Sequence, residues 1–172
     1  MILRLLGCAL IMLCAAKIGF DEAARYGKRV LEIRDFQTAL LALKGEISFC
    51  RTPLAEALSK TGERLKTPVA EIFKKTAEGL RSHSVTAQEA WDGAVRAAKP
   101  RLALKADDIY IISMFGKLLG VSDAAGQLDN IELTSERLSR CETQAAEDER
   151  KLSKLYRSLG VIGGAFLAIL FI

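Results

Sequence analysis

The sequence predicts an all-α fold: an antiparallel helical bundle of about six helices, with long first and last helices running into a membrane. Three observations lead there. Half of the 172 residues are apolar, while only three are proline and 6% are aromatic. The abundant Ala, Leu, Lys, Arg and Glu lose little rotamer freedom in a helix. Each end of the chain is a nearly charge-free stretch, and between the ends stands a series of helix-start signals. No alternating strand pattern interrupts them.

The two ends are "LLGCALIMLCAAKIGF" (5–20) and "LGVIGGAFLAILFI" (159–172). As helices they reach roughly 24 and 21 Å, short of a hydrocarbon core about 30 Å thick. They are marginal spans, which flanking residues, local thinning and a snorkelling Lys17 can complete. The second shows no polar face, so a helix there is apolar all round. A cleaved signal peptide fits the first poorly, because Arg4 is its only leading charge and no small-x-small site precedes a polar start. Lys17, Arg25, Lys28 and Arg29 flank the first segment, and Lys151, Lys154 and Arg157 the second. This basic excess puts the middle of the chain on the cytosolic side. The expected organisation is an N-terminal membrane helix (1–20), a cytosolic helical bundle (21–158) and a C-terminal membrane segment (159–172).

Residues 21–49 hold no proline, and Phe36, Leu40, Leu43, Ile47 and Cys50 form one apolar stripe at helical spacing. That helix is expected to continue from the membrane segment, with Gly19 and Gly27 as possible bends. "TPLAEAL" and "TPVAEIF" then repeat one start signal, in which Thr52 and Thr67 are expected to cap and Pro occupies the first helical position. Glu56 and Glu71 suit the positive end of each helix dipole. Thr86 and Glu89 have capping-box spacing ahead of Ala90, Trp91 and Val95. Short connections make these helices antiparallel neighbours. Asp107 or Asp108 opens the next helix, which stops near Gly120. A last helix from about Asp123 keeps Leu128, Ile131, Leu138, Ala145, Leu152 and Leu159 in a seven-residue register, with Ser135, Glu142 and Glu149 in the seam. Nothing breaks it before the membrane, so the first and last helices are expected to run side by side.

Catalytic chemistry is not visible. There is no Gly-rich phosphate loop, no H-E-x-x-H and no nucleophile elbow. The expected protein is not an enzyme and takes no cofactor or metal. A net charge of +4 with basic and acidic residues interleaved argues against nucleic acid as a partner. Cys8, Cys14, Cys50 and Cys141 form no C-x-x-C pair and read as inert packing residues. His83, the sole histidine, falls in a polar break. The carboxylates of "EDER" (147–150) point to different sides of a helix, and Trp91 reads as a core anchor. "GKLLG" (116–120) reports close packing and a helix end. Gly160 and Gly164 align on one face of the last helix and would admit another helix, in self-association or from a partner. With Tyr156 and Arg157 at the membrane junction, they are the candidate membrane or partner contacts.

Particular stretches carry a family resemblance: "IGFDEAARYGKR", "ALLALKGEISFCRTPLAEAL", "FGKLLGVSD" and the ending "KLYRSLGVIGGAFLAILFI". From end to end the chain resembles the stage III sporulation protein AB family of endospore-forming bacteria, most specifically in its closing stretch. Lys17 is more polar than the family pattern. The resemblance implies a component of the channel or secretion-like apparatus in the double membrane around the forespore, on the mother-cell side. The family's helical domain is similar to those of type II secretion F and type IV pilus platform proteins, which hold an ATPase against the membrane. The implied partners are the stage III sporulation protein AA-type ATPase and the other membrane proteins of that complex, with a homo-oligomer possible. The alternatives are an ATPase-independent membrane-tethered scaffold and an integral-membrane enzyme or transporter subunit. For the last, Lys17 is the only intramembrane polar candidate.

Overall fold

A computed structural model describes residues 2–50, 52–82, 85–120 and 123–170. Among these, six α-helices and one 3-10 turn, with no strand, make up the regular structure. They are α1 (Ile2–Ser48), α2 (Leu54–Glu63), α3 (Val69–Arg81), α4 (Ala87–Ala98), the turn Lys99–Arg101, α5 (Ala106–Lys117) and α6 (Ala124–Leu170). Helices α1 and α6 have 47 residues each, about 70 Å apiece. His83, at the expected break between α3 and α4, lies outside the described residues. By its contacts the chain divides into unit 1 (1–30 and 144–172) and unit 2 (31–143). These cuts fall inside α1 and α6. The expected limits at 20/21 and 158/159 concern membrane immersion, a different property.

Unit 2 contains the second part of α1, the helices α2 to α5 and the first part of α6. Helix α2 packs on α3, α3 on α4 and α4 on α5, as the short connections require. The α1 and α6 segments run antiparallel, joined by ion pairs from Arg34 to Glu142 at 2.6 Å and from Lys44 to Glu132. At the centre Phe36, Phe73, Trp91 and Phe115 form one aromatic cluster with ring centroids 5.1 to 6.0 Å apart. Trp91 meets Phe36 and Phe73 edge-on at 85° and 89°, an arrangement that aromatic quadrupoles favour. The buried indole N–H of Trp91 donates to the Ile112 carbonyl at 2.8 Å. Gly116 makes room for this ring: a Cβ there would lie 2.2 Å from Trp91 Cδ1. Gly120 ends the turn after α5 at φ +77°, where an L side chain is strained.

The helix starts divide into one that follows local grammar and two that depart from it. Thr86 caps α4 as expected: its Oγ1 accepts from the Glu89 N–H at 3.2 Å, and the Glu89 carboxylate accepts from the Thr86 N–H at 2.9 Å. Thr52 and Thr67 do not cap. The N-cap positions are Pro53 and Pro68, one residue later than expected, and neither helix has a side-chain cap. Thr52 Oγ1 instead donates to Glu46 Oε2 at 3.0 Å, and Thr67 Oγ1 is buried without a hydrogen-bond partner. Helix α5 opens at Lys105, whose N–H donates to the Asp108 carboxylate at 2.8 Å.

Buried polar side chains tie the loops of unit 2 to its long helices. Glu32 accepts from the Ala103 N–H at 2.7 Å. Glu46 gathers Thr52, Arg64 at 3.1 Å and Lys60 at 3.7 Å. On α6, Gln127 and Asn130 donate to the carbonyls of Leu118 and Phe115 at the end of α5, at 2.9 and 3.0 Å. The predicted heptad of α6 holds in its middle part only. Ile131, Leu138 and Ala145 are buried, but Leu128 and Leu152 are half-buried and Leu159 is exposed. The α1 stripe holds at Phe36, Leu40 and Leu43, and fails at Cys50, which is exposed beyond the end of α1.

Candidate functional site

The four candidate contact residues all lie in unit 1, where the terminal parts of α1 and α6 run antiparallel. Helix α1 is continuous through Gly19 and Gly27, and Gly19 is a point of close approach. A Cβ at Gly19 would lie 2.6 Å from the Tyr156 carbonyl oxygen and 2.8 Å from Gly160 Cα. One at Gly160 would meet the Ala15 carbonyl oxygen and Gly19 Cα at 3.0 Å, and one at Gly164 would meet Ala15 Cβ at 3.1 Å. The face carrying Gly160 and Gly164 thus receives α1 of the same chain, at a separation that leaves no room for a Cβ at Gly19 and little at Gly160 and Gly164. At Gly27 a Cβ would meet only the end of the Glu149 side chain, with Oε1 at 3.0 Å.

Tyr156 stacks on Tyr26 with centroids 5.7 Å apart and planes at 24°. A hydrogen bond with Tyr156, reinforced by burial, raises the Tyr26 hydroxyl above the ordinary phenol range. The Arg157 guanidinium lies 5.8 Å from the centre of the Phe20 ring, within cation–π range. Further along, Arg29 Nη1 pairs with Asp148 Oδ2 at 3.2 Å, and the Arg29 side chain is only 6% exposed. The pair joins α1 to α6 at this level.

Beyond the Tyr156–Arg157 level the pair is covered in apolar side chains that face outward. Leu13, Ile18, Ile162 and Phe166 are 66 to 71% exposed, and Leu10, Phe20, Leu155, Leu159 and Val161 extend the surface. A groove of about 420 Å³ runs along one side, lined by Ala15, Ile18, Leu159 and Gly163, with Glu22 also on its wall. Among the described residues no helix is long and apolar enough to cross a membrane. Phe171 and Ile172, which close the second apolar stretch, lie outside them. Nor is any group of three or more His, Cys, Asp or Glu placed to hold a metal ion, again among the described residues.

Sequence reasoning missed the partners of these residues more than the residues themselves. Gly19 was visible only as a helix breaker, and the Arg29–Asp148 pair joins positions 119 apart. Their one sequence signal is glycine and charge within otherwise helical, apolar-flanked segments.

A family model described as stage III sporulation protein AB matches residues 4–172. The stage III sporulation protein AB of Bacillus subtilis (strain 168) is 30% identical over 168 residues, 98% of either chain. A solved structure of stage III sporulation protein AB matches with a TM-score of 0.67 and 28% identity, covering 72% of this chain and 98% of that one. The chain belongs to the stage III sporulation protein AB family.

Proposed function

We propose that the chain is a membrane-anchored platform component of a sporulation channel or secretion-like complex. In this reading it docks a secretion-type ATPase, the stage III sporulation protein AA-type partner, on the mother-cell side of the forespore double membrane. The observation that carries the anchoring is the exposed apolar surface on both helices of unit 1. Water penalises that surface at about 25 cal/mol per Å², and exposed apolar patches rimmed by polar residues mark membrane or protein contact. Lipid contact relieves the penalty without a partner protein. Each terminal stretch alone is a marginal span, but the glycine crossings let the two enter as one paired unit, and thinning or flanking residues supply the remaining length. Unit 2, with its filled core, supplies the rigid body that a platform needs. Its role is positional, and the residues of unit 1 act by anchoring, not by catalysis.

The experiment is a pull-down of the AA-type ATPase by the full chain in native membranes. Co-purification is the expected result, and failure of the membrane-embedded chain to retain the ATPase contradicts the docking half of the proposal. Retained anchoring without the ATPase would leave the ATPase-independent scaffold standing.

A further inference from the structure

All of the chain's net charge resides in unit 1. Of the 25 basic and 21 acidic residues, unit 1 holds nine and five, whereas unit 2 holds sixteen of each and is neutral. Within unit 1 the acids are largely engaged: Glu22 with Arg25, Glu147 with Lys151 and Asp148 with Arg29. Among the described residues, Lys17, Lys28, Arg150, Lys154 and Arg157 have no carboxylate within ion-pair distance, against only Asp21 and Glu149 on the acidic side.

Three of these cations are ordered. Arg150, Lys154 and Arg157 recur at spacings of four and three on α6, so they form one exposed stripe along one helix face. The next turn of the same face is Val161, exposed and apolar. The face therefore passes from basic to apolar within one turn, at the level where Arg157 lies over Phe20 and Tyr156 stacks on Tyr26. Long basic side chains above an apolar surface, with aromatic rings at the boundary, match the chemistry of a bilayer interface.

We infer that this stripe recognises anionic phospholipid headgroups. The inference rests on the proposed membrane anchoring and adds the class of lipid to it. A zwitterionic interface offers each phosphate already paired with an ammonium. An anionic one leaves the phosphate for the Arg150 and Arg157 guanidiniums, whose planar donor fork fits two phosphate oxygens at once, and for the Lys154 ammonium. A surface of uniform net charge would not concentrate the whole excess at the unit that carries the apolar helices.

The test uses the full chain in nanodiscs of mixed phosphatidylglycerol and phosphatidylcholine, with the lipids that stay bound counted by native mass spectrometry. The wild-type chain should retain phosphatidylglycerol in several-fold excess over its share of the bilayer. The triple variant R150Q/K154Q/R157Q should lose that excess and retain the two lipids in proportion to their shares. The unit 2 variant K74Q/K75Q, which removes two exposed charges from α3, should keep it. Equal retention of both lipids by the wild-type chain overturns the inference, as does an equal loss in the α3 variant, which would make net charge alone responsible. A chain that enters neither lipid defeats the anchoring itself, and the inference falls with it.

Discussion

Unit 2 completes itself and unit 1 does not. In unit 2 four aromatic rings meet at a centre, buried carboxylates hold the loops, and charge sums to zero. Among its described residues unit 1 has two helices, a seam of glycines and the part-buried Arg29–Asp148 pair, with large apolar side chains turned outward, and it carries the chain's entire net charge. The same long helices, α1 and α6, take part in both. The difference therefore lies in what surrounds them: α2 to α5 cover them in unit 2, whereas among the described residues of unit 1 large apolar side chains on both helices stay exposed. Cover for these is what the proposed lipid supplies.

Substitutions separate the two modes of stabilisation. Trp91→Ala should be the largest, at about 3–5 kcal/mol. Hydrogen exchange of the full chain in nanodiscs should show α3 to α5 losing protection while the unit 1 helices keep theirs. Gly116→Ala places a methyl group against the indole and should cost about 1–3 kcal/mol or more. The double variant Gly116→Ala/Trp91→Leu should be less destabilised than the sum of its parts, because the clash disappears with the ring. In unit 1, Gly160→Leu should force α1 away from α6 with unit 2 unchanged. A spin-label distance between positions 13 and 166 in the bilayer should lengthen and broaden.

Thr86→Ala should cost about 1 kcal/mol by removing the α4 cap, and it carries a pH signature. The Glu89 carboxyl is held below its ordinary range, first by the Thr86 backbone N–H and then by the Thr86 hydroxyl. The folded state thus binds that proton more weakly than the unfolded state does. The cap's contribution is complete above the ordinary carboxylate pKa and is lost as the pH falls through the lowered value. Exchange at the first turn of α4 should rise over that acid window in the wild type, and should be flatter in the variant. The smallest effect is expected from Thr67→Val, which removes a buried hydroxyl that has no partner. Unfolding should show no loss or a slight gain.

What the sequence disclosed followed the range of the interaction. The Thr86–Glu89 box spans three residues and was legible, as were the helical class, the Phe36–Leu40–Leu43 stripe and the break after α5 near Gly120. Thr52 offered the same local signal as Thr86, yet Glu46 claimed its hydroxyl from α1 and Pro53 took the cap position. The heptad in α6 held at Ile131, Leu138 and Ala145 but did not disclose Gln127 and Asn130, which are buried where they meet carbonyls at the end of α5. Gly160 and Gly164 were legible as a place for close approach, but not which helix comes there. Glycine spacing states a separation and does not name the neighbour.

The central claim is that unit 1 meets lipid and unit 2 meets water. It is tested most directly by single cysteine probes in a chain whose four native cysteines are replaced by serine, reconstituted with spin-labelled quencher lipids. Fluorophores at positions 13 and 162 should be strongly quenched, and those at 41 and 110, on exposed apolar residues of unit 2, should not. Equal quenching at all four positions, or none at 13 and 162, would contradict the account.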